Sequence, residues 1–135
     1  MTWWDLVMPI DFDQDDERRR FTATAHGDIT IDDLLALTER QVSRGAWTYE
    51  TVYDARSLTT ALKRHEMQRF SEARAEQTAS LGPAGPLVII VASDEAFGMA
   101  QKYELATDDG KRLVFVARDV DTAEAWLSAQ RARQR

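Results

Sequence analysis

Apolar and polar residues follow two rhythms along this chain, and the rhythm changes wherever turn-forming residues cluster. Residues 3–12, WWDLVMPIDF, are aromatic and branched and predict a strand, with Pro9 at an edge or bend. DQDDERR then predicts a polar turn. In residues 18–26, Phe21, Ala23 and Ala25 share one face, and Arg20, Thr22, Thr24 and His26 share the other. That period of two is a half-buried strand, close enough to the first to form an antiparallel hairpin. Thr30-x-x-Asp33 has the spacing of a capping box and opens a helix. Ile31, Leu34, Leu35, Thr38 and Val42 form its apolar stripe, and Gly45 ends it.

Residues 48–54, TYETVYD, predict a third strand with Tyr49, Thr51 and Tyr53 on one face. Residues 60–80 predict a long polar helix with a thin stripe of Met67, Phe70, Ala73 and Gln77, on the outside of the fold or mobile. GPAGP at 82–86 breaks the chain before the unbroken apolar run Leu87–Ala92, a strand buried on both faces. Ser93 predicts the cap of a helix reaching to about Thr107, with Phe97, Ala100 and Tyr103 inward. Asp109-Gly110 turns the chain into strand 112–117. Asp121-x-x-Glu124 predicts the cap of a closing helix that docks through Ala123, Trp126 and Leu127.

The resulting β-β-α-β-α-β-α-β-α order is that of an α/β fold. It implies a five-stranded mixed, mainly parallel sheet, with an antiparallel hairpin at one side and Leu87–Ala92 central. The 135 residues, 44% of them apolar, suit one domain over 1–135.

Charge and composition narrow the chemistry. The net charge is −6, and residues 1–60 carry all of it, with 12 carboxylates against 6 arginines. Such a surface repels phosphate backbones and argues against nucleic-acid binding. The absence of cysteine excludes disulfides, thiolate metal sites and a cysteine nucleophile, and two histidines are too few for a histidine-rich metal site. No cofactor is expected. No stretch is apolar for long enough to cross a bilayer and no secretory leader pattern stands out, so a cytoplasmic location is expected. Neither G-x-S-x-G, nor a Walker A loop, nor G-x-G-x-x-G is present.

Three segments carry a resemblance: TVYDARSLT, VIIVASDEAFGMAQKYE and LVFVARDVDTAEAWL. With the element order, they resemble the STAS-like (SpoIIAA-like) bacterial domain family, related in fold to the anti-sigma-factor antagonists. The resemblance spans roughly residues 9–128. It implies a small binding or regulatory module rather than an enzyme. In the antagonists, an Asp-Ser-Ser-Gly-like stretch after the third strand carries a serine that the partner kinase phosphorylates. Here the region reads Asp54-Ala55-Arg56-Ser57-Leu58-Thr59-Thr60-Ala61, without an Asp-Ser pair or a glycine. The resemblance would place a phosphoacceptor at Ser57, Thr59 or Thr60. As plain residues, Thr59 and Thr60 precede a predicted helix and read as its cap.

Tyr53, Asp54, Arg56, Phe97 and Tyr103 form the candidate binding set. The tyrosines offer apolar bodies with polar tips. Asp54 and Arg56 flank the C-terminal end of a central strand, where ligands of open α/β sheets sit, or simply pair locally. The expected partner is a protein or a small apolar, lipid-like ligand. An enzyme using Asp54, Arg56 and Asp94 is the rival reading. A homodimer joined through Trp3 and Trp4, which a strand sends to opposite faces, is the third. Asp11-x-Asp13-x-Asp15 opens like a calcium loop, but Asp16 stands where the turn needs glycine, and a charged hairpin turn is the simpler reading. Gly98, inside a helix, suggests close packing against the sheet.

Overall fold

The computed structural model describes residues 10–59, 62–107 and 113–133, with residues 103–107 described by backbone alone. Five strands and four helices lie among these residues: β1 (Ile10–Asp15), β2 (Arg20–Gly27), α1 (Ile31–Ser43), β3 (Glu50–Leu58), α2 (Arg64–Leu81), β4 (Leu87–Ile90), α3 (Asp94–Thr107), β5 (Val114–Ala117) and α4 (Val120–Arg133). The strands lie side by side in chain order. β1 and β2 are antiparallel, and β2 to β5 are parallel. The fold is therefore α/β with a mixed, mainly parallel sheet, in the element order the sequence implied. β4 is interior, between β3 and β5, one place from the middle of the sheet.

Sheet order decides where the helices go. Each right-handed crossover steps to the next neighbour, so α1, α2 and α3 all fall on one face. On that face Phe21, Ala23 and Ala25 of β2 pack with Ile29, Leu34 and Leu37, and Leu87, Ile89 and Val91 pack with Ala96, Phe97 and Ala100. α4 covers the other face. There Val52, Val88, Ile90 and Ala117 meet Ala123 and Leu127, and Phe115 stacks on Trp126 at 5.3 Å. α4 is also tied by charge. Glu50, only 8% exposed, accepts from Arg20 at 2.9 Å and from Arg131 at 2.7 Å, while Arg20 reaches Glu124 at 2.6 Å.

The cap of α1 forms as its spacing implied: Asp33 N donates to Thr30 Oγ1 at 3.1 Å, and Thr30 N donates back to the Asp33 carboxylate at 2.8 Å. Gly45 follows the helix with φ +74°. Elsewhere the structure corrects the sequence reading. β1 continues through Asp13 and Asp15, which pair with Thr22 and Arg20; their side chains point to the open face, so polarity does not end the strand. Residues 3–9 of the expected first strand, with Trp3 and Trp4, lie outside the described residues, as does the Asp109-Gly110 turn. β3 runs to Leu58 rather than ending at Asp54, because it gains β2 partners beyond a bulge: Thr24 faces Asp54, but His26 faces Ser57. The extra residue changes which face the chain presents, so Leu58 joins Tyr53 and Ala55 on the covered face.

Two expected caps move. α2 starts at Arg64, where Lys63 N donates to Glu66 at 2.9 Å, so Thr59 is not its cap. Thr59 instead closes the end of β3, its N–H on Gly27 O at 3.0 Å and its hydroxyl on the Asp28 carboxylate. Thr60 lies outside the described residues. α4 is capped by Asp119, which accepts from Thr122 N at 2.7 Å, leaving Glu124 for Arg20. Gly98 does not secure close packing, since a Cβ there would meet nothing within 4 Å. The close approach is at Gly85, where a Cβ would lie 2.3 Å from Tyr49 O.

Candidate functional site

The face under three helices is not filled. A cavity of about 260 Å3 lies between β3 and β4 below and α1, α2 and α3 above. Its layers follow from strand register, because Thr51 faces Leu87 and Tyr53 faces Ile89. At the floor are Thr51, Leu87, Thr38, Gln41 and Arg74. The middle is apolar, with Tyr53 and Ile89 under Leu34, Leu37 and Phe70. The upper layer holds Ala55, Val91, Met67, Met99 and Ala100, and the rim at the C-terminal ends of the strands carries Arg56, Thr59, Ser93 and Glu95. That rim is where open α/β sheets take ligands.

The space exists because of what α2 brings. Phe70 and Met67 reach the cavity wall, but the buried residue of this helix is Arg74. Its guanidinium carbon sits 4.5 Å from the Trp47 ring centre, and Trp47 in turn donates to Gly82 O at 2.9 Å. This stretch of α2 therefore turns inward a planar cation stacked on an indole rather than an aliphatic side chain. The neighbouring floor groups are hydrogen-bonded: Gln41 Nε2 donates to Ala46 O and to Thr51 Oγ1, both at 2.9 Å, and Thr38 donates to Leu34 O at 3.1 Å.

Tyr53 is the polar group the middle layer does not satisfy. Its hydroxyl oxygen is buried, and no donor or acceptor among the described residues lies within hydrogen-bonding distance. Burial, helped by the negative charge of Asp33, pushes its pKa far up, so it remains a neutral O–H donor.

The other sequence candidates separate. Asp54 and Arg56 form a two-point ion pair within β3, with N–O distances of 3.0 and 2.8 Å. This hydrogen bonding holds the Asp54 carboxyl below its ordinary range. Arg56 reaches the rim of the cavity, whereas Asp54 does not line it. Asp94 pairs with Arg118 at 2.8 Å, and Phe97 carries Arg118 over its ring at 5.7 Å, outside the cavity wall. The two acid–arginine pairs are therefore separate units. The side chain of Tyr103 lies outside the described residues. Ser57 is exposed near the end of β3. A phosphate on Thr59 would stand against the Asp28 carboxylate that now accepts its proton.

Asp11, Asp13 and Asp15 line the open face of β1, and Asp11 contacts His26 at 3.1 Å. Among the described residues no group of three or more His, Asp or Glu is placed to hold a metal ion. No helix among them is long and apolar enough to cross a membrane.

Sequence reasoning found Tyr53 and Arg56 but missed Arg74, Phe70 and Met99 as cavity residues. Phe70 and Met67 did stand in the thin stripe of α2. Arg74 is one position from Ala73 of that stripe and carried no local sign of burial. Comparison with known proteins adds no relative: no family model, curated protein or solved structure matches this chain.

Proposed function

We propose that this chain is a STAS-like binding module whose cavity takes one small, largely apolar molecule without chemical turnover. The carrying observation is the cavity of about 260 Å3, walled mainly by aliphatic and aromatic side chains beneath α1, α2 and α3. A cavity of roughly 150 Å3 holds a benzene-sized guest, so this one has room for a guest larger than a single ring. Burying such a guest gains about 25 cal/mol for each Å2 of apolar surface removed from water. The rim lies at the strand ends, where open α/β sheets take ligands.

The element order and the resemblance of the three segments to STAS-like domains support this reading. The separation of the Asp54–Arg56 and Asp94–Arg118 pairs supports binding over catalysis, because these acids and arginines do not form one joint centre.

Titration with naphthalene, followed by its fluorescence, tests the reading. Saturable binding with one molecule per chain is expected. Ala100→Leu, which puts a larger side chain into the wall, is expected to weaken it at least tenfold while the melting temperature stays level or rises. Absence of saturable binding to the unaltered protein would overturn the proposal.

A further inference from the structure

The shape of the cavity carries more information than its volume. Among the described strands only β3 and β4 line it. They do so along their length, with Thr51 beside Leu87, Tyr53 beside Ile89, and Ala55 and Val91 in the next layer. From Thr51 to Ala55 the chain takes four steps of about 3.3 Å, or about 13 Å in all. The helices wall the same length. α1 lines the space with Leu34, Thr38 and Gln41, and α2 with Met67, Phe70 and Arg74, each row covering about 10 Å of helix axis. The cavity is therefore a slot, long in the strand direction and only two strands wide.

Its dimensions match one hydrocarbon chain. Dividing 260 Å3 by about 13 Å leaves a mean cross-section of about 20 Å2. A single alkyl chain takes up about the same area, because its neighbours stand about 4.5 Å from its axis. Bonds of about 1.5 Å at tetrahedral angles advance such a chain about 1.3 Å per carbon, so about ten carbons fill the slot.

The two ends differ. At the floor the Gln41 amide bridges Ala46 O and Thr51 Oγ1, and Arg74 lies on Trp47, so this end is closed by groups already engaged with each other. At the rim Arg56, Thr59, Ser93 and Glu95 are all exposed, so a polar group there keeps its water.

Resting on the binding reading above, we infer that the cavity takes one unbranched alkyl chain of about ten carbons, inserted at the strand ends with its polar end left at the rim. Each CH2 that enters leaves water, and a CH2 beyond the floor has nowhere to go.

Hexyl, octyl, decyl and dodecyl glucosides, titrated calorimetrically below their micelle-forming concentrations, test this, since the sugar is uncharged and must stay in water. Affinity is expected to rise about tenfold with each pair of carbons up to decyl, and dodecyl is expected to match decyl within about twofold. Menthyl glucoside carries the same number of carbons as decyl folded into a branched ring, and is expected to bind at least about tenfold more weakly. Leu37→Phe, which thickens the middle of the wall, is expected to bring the plateau down to octyl while the protein still melts cooperatively. A gain that continues unbroken to dodecyl overturns the inference, because it describes an open apolar surface. Menthyl binding as tight as decyl overturns it as well, and so does a plateau that stays at decyl in a folded Leu37→Phe. The series on the unaltered protein decides the matter if that variant does not fold. Saturable naphthalene binding with no glucoside binding rejects the chain and leaves the apolar-cavity reading standing. Failure of naphthalene and of every glucoside removes both.

Discussion

The two faces of the sheet are covered in opposite ways. Under α4, β3, β4 and β5 meet one helix, and the contact is closed: Val88 and Leu127 are 0% exposed and Ile90 is 1% exposed. Under α1, α2 and α3 the same strands meet three helices, yet a cavity of about 260 Å3 remains. More cover has produced looser packing. The difference lies in the side chains each helix supplies. α4 inserts Leu127 and Ala123 and lays Trp126 on Phe115, all apolar. α2 supplies Phe70 and Met67, but its next inward turn is an arginine stacked on Trp47. One face is therefore built for stability, and the other spends packing on an opening.

The largest expected effect lies on the closed face. Leu127→Ala should cost about 3–4 kcal/mol in chemical denaturation, because it opens a new void where none exists. Trp126→Ala should cost less, about 2 kcal/mol, since Trp126 is only partly buried and its main partner is the Phe115 ring. Equal costs would mean that the helix docks through its aromatic stack rather than its leucine. Glu50→Ala ranks between these two, at about 3 kcal/mol by the same measurement, near the lower end for breaking a buried ion pair. It strips the shared acceptor from Arg20 and Arg131, although Arg20 keeps Glu124. An unchanged denaturation midpoint would show that apolar packing alone holds α4 to the sheet.

The smallest expected effect is a pH dependence. Hydrogen bonds from Arg20 hold the Glu124 carboxyl below its ordinary value of 4.5. A lowered folded-state pKa means that this stabilisation is present above that value and is lost as the pH falls through the folded pKa. Replacing Glu124 by Gln should make the fall in melting temperature shallower between about pH 5 and pH 3. The change should be small, because the Glu124 side chain is 42% exposed and screened. An identical acid limb in the variant would mean that the Arg20–Glu124 contact adds nothing to the seam between β2 and α4.

Much of the scaffold was legible in local pattern. Phe21, Ala23 and Ala25 alternate as the β2 register requires, and the Leu87–Ala92 run identified an interior strand covered on both sides. The Thr30–Asp33 spacing located the start of α1. Pattern failed where one element's limits depend on another. Asp13 and Asp15 belong to a strand because Thr22 and Arg20 stand opposite, and β3 reaches Leu58 because β2 offers partners past the bulge. Polar residues there read as loop until the neighbouring backbone is known.

The same division runs through the candidate site. Residue type marked Tyr53 as an apolar body with a polar tip, and strand alternation put it on the face of Thr51. Element order then specified three crossover helices, which right-handed connection sends to a single face. Those properties belong to short windows and to chirality, and the sequence by itself determined them. Tertiary structure alone decided that Arg74 turns inward onto Trp47, that Phe97 leaves the cavity for Arg118, and that Asp54 and Asp94 pair with different arginines. Each of these joins residues from separate elements or fixes a helix's rotation over the sheet. A cavity is the volume that packing fails to fill, so it is a property of all its walls at once and of no single segment.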